Sequence, residues 1–388
     1  MRPYRIDIPD SEIADLRARI ASTRWPAAVS VPGWERGVPG DYLRELATYW
    51  QSTYDWRAAE RELNRHPQFI TEIDGADVHF MHITSAEPGA TPLLLTHGWP
   101  GSIVEFLDVI GPLTDPRANG LDPALAFHLV IPSIPGHGFS GPVTEPGWDV
   151  QRVAGAWAEL MRRLGYDSYV TAGGDWGSII SLELSRLAPE RVRGAYLSML
   201  LTLPSGDPEE LSQLGESDFA RLAELGRFDA ELSGYMKVQT TRPLTIGYGL
   251  TDSPVGQLAW IVEKFHDWNK AVKTPEEEVG RDRLLTNATL YWLTGTATSS
   301  AQFYYESAAT LGKMFTPGAA PDPVTVPIGV AVFGQDPGLP IRSLAERDYS
   351  TITHWSEFDQ GGHFAAMEQP KLYVGDLRTF VGSLDSRR

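Results

Sequence analysis

The chain has 388 residues, 42% hydrophobic and 10% aromatic, enough core material for one large elaborated domain or two units and too much for a disordered chain. A formal net charge of −17 argues against nucleic acid as a partner, because phosphate binding wants the opposite sign. With no cysteine, disulfides and thiolate metal sites are excluded. The charged, proline-interrupted start MRPYRIDIPD carries no apolar leader, and no uninterrupted apolar run of about 18 residues occurs. A soluble, cytoplasmic protein without a membrane partner is expected, in which the Asn287-Ala288-Thr289 sequon has no meaning.

Residues 1–68 read as a tryptophan-rich helical extension with a structural role. DSEIADLRARIASTRW repeats apolar residues at helical spacing behind an expected cap at Asp10 or Ser11, and further helices are expected in DYLRELATYWQSTY and WRAAERELNR. From Phe69 the period changes: FITEIDGADVHFMHI reads as a hairpin turning at Asp74-Gly75. TPLLLT, AFHLVIP, SYVTAGG and RVRGAYLSML then alternate with helical stretches, which predicts a mostly parallel sheet with helices on its faces over 69–201. Catalytic groups in such sheets sit beyond the carboxyl ends of the strands. Between 202 and 322 helical and aromatic segments replace the strands, as expected of an inserted lid. The strand pattern returns in VTVPIGVAVFGQD and ITHWSEF, and 323–388 closes with the helix PKLYVGDLRTFVGSL.

Three motifs carry chemistry. GGDWGS, Gly173 to Ser178, stands between a strand and a helix like the nucleophile elbow G-x-S-x-G, with Asp175 in place of the serine. HGWPGS follows the strand LLLT, where a loop N–H pairs with the N–H after the nucleophile as an oxyanion hole; the donors would be the amides of Trp99 and Trp176, while His97 is expected only to hydrogen-bond backbone. The order nucleophile, acid, histidine then points to Asp336, just past a strand, and to His363 in QGGHFAAMEQP. By contrast, Gly136-x-Gly138-x-x-Gly141 matches a dinucleotide fingerprint, yet Pro142 and Pro146 follow where a helix should open, so a loop is expected and no nucleotide cofactor.

An aspartate nucleophile narrows the reaction. Attack on an acyl carbonyl would give an anhydride, an uphill product, whereas attack on tetrahedral carbon with a strained or good leaving group gives a stable ester. Water activated by His363 can then hydrolyse that ester. The electrophile is an epoxide or an alkyl halide, and neither a cofactor nor a metal is needed. An epoxide oxygen needs a proton, which a tyrosine with a pKa near 10 can donate. Tyr235 in SGYMKVQ and Tyr304 in AQFYYES are lid candidates, although composition does not select them from 14 tyrosines.

These motifs resemble those of the microsomal-type epoxide hydrolases, a branch of the α/β-hydrolases, over nearly the whole chain. HGWPGS, GGDWGS, SGYM with its following Q-x-T-x-x-P, DSPVGQLAWIVEKF, LYWLTGT and GGHFAAME stand in the family's order and spacing, behind a similar N-terminal extension. The resemblance implies an α/β-hydrolase fold and conversion of an epoxide to a vicinal diol. It implies Asp175 as nucleophile, His363 as base, Asp336 as orienting acid, Tyr235 as first lid tyrosine, and Tyr304, in preference to Tyr305, as second. The chain departs from the mammalian members in lacking their membrane anchor and in having Asp336 where they use glutamate; either carboxylate can hold the imidazole. It is also similar to bacterial relatives acting on natural-product epoxides, and the aromatic lid points to an apolar or aryl epoxide as the small-molecule partner. A haloalkane dehalogenase and a non-catalytic binding protein are the alternatives, and a homo-oligomer is open.

Overall fold

A computed structural model describes residues 1–27 and 33–385. Residues 28–32 of the expected extension and 386–388 of the closing segment lie outside the described residues. Among the described residues nine strands form one sheet: β1 (Arg2–Tyr4), β2 (Gln68–Ile73), β3 (Ala76–Ile83), β4 (Thr91–Thr96), β5 (Phe127–Pro132), β6 (Tyr169–Gly173), β7 (Val192–Leu197), β8 (Ile328–Phe333) and β9 (Ile352–Phe358). Their order is β1-β2-β3-β5-β4-β6-β7-β8-β9, antiparallel from β1 to β5 and parallel from β5 to β9. The hairpin β2–β3 turns at Asp74 (φ 52°) and Gly75 (φ 81°), the two positive φ values that a tight two-residue hairpin demands.

The central strands are apolar on both faces because helices cover both: Leu93, Leu94 and Leu95 of β4 have no exposed surface. Helices α1 (Asp10–Ala21), α2 (Gly40–Ser52) and α3 (Trp56–Leu63) form the N-terminal extension; α4 (Leu107–Thr114), α5 (Val150–Arg163) and α6 (Trp176–Leu187) belong to the α/β unit. The expected cap of α1 is one residue off. Pro9 occupies the cap position and Asp10 is already helical, with Asp10 and Glu12 in the first turn where the helix dipole favours them. The strand β1 was not foreseen: three residues are too few to show a period, and they pair only with the edge of β2. After β5 the glycine fingerprint opens no helix; a single 3-10 turn, Gly138–Ser140, is followed by loop.

Between β7 and β8 the chain is helical and caps the carboxyl ends of the parallel strands. The segments that matter for the site are Gly234–Thr241, Pro254–Asp267, Arg281–Thr294 and Ala297–Glu306. The extension packs on this cap: Trp50 Nε1–H of α2 donates to Thr289 at 2.8 Å, and Arg283 reaches Glu62 of α3 at 3.1 Å. No helix among the described residues is long and apolar enough to cross a membrane.

Candidate active site

The turn between β6 and α6 places Asp175 at φ 49°, ψ −127°, a conformation that costs a residue bearing a Cβ about 1–3 kcal/mol. Close packing holds it there. Gly177, on the first turn of α6, lies so near β4 that a Cβ would come within 1.9 Å of the Thr96 carbonyl oxygen. A Cβ on Gly98 would meet the Asp175 Cβ at 2.3 Å, so the loop after β4 presses directly on the elbow. From that loop the Trp99 N–H donates to Asp175 Oδ1 at 2.8 Å. The Trp176 N–H opens α6 and has no intrahelical acceptor.

Asp336 follows β8 and His363 follows β9, so both lie beyond the carboxyl ends of two adjacent parallel strands. His363 Nδ1–H donates to Asp336 Oδ2 at 2.9 Å, while Asp336 Oδ1 accepts the Gly338 N–H at 2.8 Å. The other ring nitrogen, Nε2, stands 3.4 Å from Asp175 Oδ2, close enough for an ion pair but not aligned as a hydrogen bond. Burial by itself would lower the His363 imidazole, but the Asp336 and Asp175 carboxylates outweigh it and hold the ring well above the ordinary histidine range.

A cavity opens over Asp175. Asp175, Asp336 and His363 supply its polar wall, and Ile179, Met199, Leu225, Phe228 and Leu311 are among its apolar lining. Tyr235 and Tyr304 enter from two cap helices with ring centroids 5.9 Å apart, and Trp99 stacks on Tyr235 at 5.2 Å. Burial, with the nearby Asp175 charge, raises the Tyr235 phenol well above 10. Tyr304 is raised by burial, then by Tyr235 and Asp175. Tyr305 is 54% exposed and does not line the cavity, whereas Tyr304 is 2% exposed.

The structure therefore brings together Asp175, Asp336, His363, Tyr235, Tyr304 and the Trp99 and Trp176 amides. His97 behaves as expected: Nε2 accepts the Ile134 N–H at 3.1 Å, Nδ1–H donates to Gly98, and burial pushes the ring down to about 4. Other residues at the site were not singled out by the sequence, although Glu368 closes the GGHFAAME motif. The Trp268 carbonyl accepts the His363 N–H at 3.0 Å and its ring lies 4.6 Å from the imidazole, but it is one of 12 tryptophans. Glu368, five residues beyond His363, accepts N–H bonds from Gly362 and Phe364 and from the Asn269 side chain; burial pushes it up to about 7. Glu105 is buried behind the loop after β4 with Oε1 unpaired, and burial pushes it up to about 8.

Comparison with known proteins identifies relatives along nearly the whole chain. Residues 1–106 match the family described as "Epoxide hydrolase N terminus", and residues 91–370 match the "alpha/beta hydrolase fold". A protein of Stigmatella aurantiaca (strain DW4/3-1), named "Putative epoxide hydrolase", is 45% identical over 97% of this chain and 83% of its own. Epoxide hydrolase 1 of Sus scrofa is 36% identical, with 100% of this chain and 90% of that one covered. The crystal structure of juvenile hormone epoxide hydrolase from the silkworm Bombyx mori superposes with a TM-score of 0.90 at 31% identity, covering 99% of this chain and 95% of that chain.

Proposed function

The chain belongs to the epoxide hydrolases that join an α/β-hydrolase core to this N-terminal extension, and from that premise we propose that it opens its epoxide through a covalent ester on Asp175. One observation carries the proposal: Asp175 is held at the elbow with Oδ1 on the Trp99 N–H and Oδ2 3.4 Å from a histidine backed by Asp336. Oδ2 attacks an epoxide carbon and the carbon–oxygen bond breaks. Tyr235 and Tyr304 donate to the departing oxygen, since both phenols stay protonated well past neutrality.

Alkylation removes the Asp175 charge, one cause of the raised His363 affinity for protons, and so frees the imidazole to act as base. Nε2 takes a proton from water, which attacks Asp175 Cγ, and the oxyanion forms on Oδ1 facing the Trp99 and Trp176 amides. Collapse breaks the acyl–oxygen bond. The diol leaves with Oδ2, the carboxylate keeps the water oxygen, and the two protons of the water end on the diol and on the tyrosine that gave one up.

Residues 202–322 serve as lid and 1–68 brace it. The apolar lining supports an apolar or aryl epoxide as substrate, in a soluble cytoplasmic enzyme of the microsomal type working on natural-product epoxides. A single turnover in ¹⁸O-water tests the route: the first diol should carry no label, and label in it would reject the ester. A buried Trp176 Nε1–H with no well-aligned acceptor, beside the Tyr304 ring, favours, as a second reading, a halide cradle. Chloride release from a chloroalkane at rates rivalling the best epoxide would support that reading.

A further inference from the structure

The loop that carries the Trp99 amide is held from behind by the cap. On the helix Arg281–Thr294, Asn287 and Tyr291 stand four residues apart and so share one face. Asn287 Nδ2–H donates to the Pro100 carbonyl at 2.7 Å, and Asn287 Oδ1 accepts from Ser102 Oγ at 2.7 Å. The Pro100 carbonyl can only accept, which fixes the orientation of the amide. Tyr291 O–H donates to the Gly101 carbonyl at 2.7 Å. Asn287, Tyr291 and Ser102 are all buried, so water cannot replace these bonds. Three consecutive residues after Trp99 are thus tied to one helix.

That helix is itself braced by the N-terminal extension. Thr286 and Thr289, on an adjoining face, bond Tyr54 at 3.0 Å and Trp50 at 2.8 Å, and Asp282 accepts from Tyr49 at 2.9 Å. The Asn-Ala-Thr run that looks like a glycosylation signal therefore has both polar side chains buried and in use: one holds the loop and the other faces the extension.

We infer that Asn287 and Tyr291 are positioning residues that set the oxyanion amide of Trp99, with the N-terminal helices as their support. The inference rests on the Asp175-ester reading and separates its two half-reactions. In alkylation Oδ1 passes from carboxylate to ester carbonyl and loses negative charge, so a donor aimed at it gives no acceleration. In ester hydrolysis Oδ1 becomes an oxyanion and the same donor matters most. Loosening the loop should slow hydrolysis and spare alkylation, a split that general destabilisation would not produce.

The test is rapid mixing of Tyr291→Phe and Asn287→Ala with an epoxide, acid quench, and mass measurement of the adduct on the Asp175 peptide. Removing an oxyanion donor outright costs ~10²–10³; for a displaced one, hydrolysis should slow about tenfold with alkylation within about twofold, so the alkylated fraction rises. Tyr291→Phe keeps the ring and is the arm that should fold normally. Equal slowing of both steps, or no change in a folded variant, overturns the inference. Trp50→Phe, which touches neither loop nor cavity, should raise the adduct in the same direction; no rise there overturns the support by the extension. His363→Gln separates this from the underlying reading. It should trap the ester on Asp175, and if no adduct forms even there the ester itself is refuted, whereas a trapped ester with unchanged Tyr291→Phe and Asn287→Ala refutes only the positioning.

Discussion

Replacing Asp336 with asparagine poses the imidazole a choice whose cost follows from two hydrogen bonds. Oδ1 accepts the Gly338 N–H at 2.8 Å and Oδ2 accepts His363 Nδ1–H at 2.9 Å, so the native carboxylate accepts on both sides. An asparagine can accept on only one. If its oxygen stays on Gly338, the NH₂ faces Nδ1, which must then be the bare nitrogen; Nε2 carries the hydrogen and cannot take a proton from water. If it flips, the NH₂ on the buried side chain meets the half-buried Gly338 N–H and two donors face each other, at about 1–3 kcal/mol. The unproductive tautomer is favoured by that amount, about 5- to 150-fold. The lost charge that stabilises the imidazolium adds to it, so ester hydrolysis should slow about 10²–10⁴-fold. Alkylation needs Asp175 and the tyrosines but not a proton acceptor, and should change far less. Quenched-flow mass spectrometry of Asp336→Asn would then show nearly stoichiometric alkylated enzyme with slow decay. If alkylation and hydrolysis fall in equal proportion, the assignment of Asp336 to the histidine's tautomer is wrong.

The tyrosines should show the opposite split: Tyr235→Phe and Tyr304→Phe singly leave partial activity, and together lose most of the ~10²–10⁴ of a general acid from the alkylation rate. A double variant with full alkylation would move the proton donor elsewhere. The pH dependence of His363 should differ between steps, since Asp336 and Asp175 together hold it high in the free enzyme and only Asp336 remains charged in the ester. Ester hydrolysis is therefore expected to fail, as pH drops, at a lower apparent pKa than that of the free-enzyme imidazole followed by NMR; an equal or higher value refutes the coupling. Glu105 gives a stability test. Its carboxyl rises from 4.5 to about 8 in the fold, so across that window the native state holds a proton the unfolded chain has released, and stability falls as pH rises. Glu105→Gln removes the titration, and its gain over the parent in urea unfolding should be larger at pH 9 than at pH 5; equal gains at both would contradict the burial argument.

What the sequence determined by itself was the local chemistry. The glycines and aspartate of GGDWGS, the proline and glycines of HGWPGS and the Asp74-Gly75 turn act through neighbours within a few residues, and turn geometry is set at that range. The change of period at Phe69 likewise announced a sheet, because alternation follows from strand geometry alone. Tertiary structure decided what depends on distant neighbours. Tyr304 and Tyr305 are adjacent and chemically identical, yet about 100° of helix rotation sends one into the cavity and the other to solvent. Trp268 and Glu105 are ordinary letters until folding sets them beside His363 or behind the loop after β4. Asn287 meets Ser102 across 185 residues of chain, and nothing within a turn of either foretells it. Such pairings are products of the whole packing, in which a side chain's role is fixed by what surrounds it after water has left.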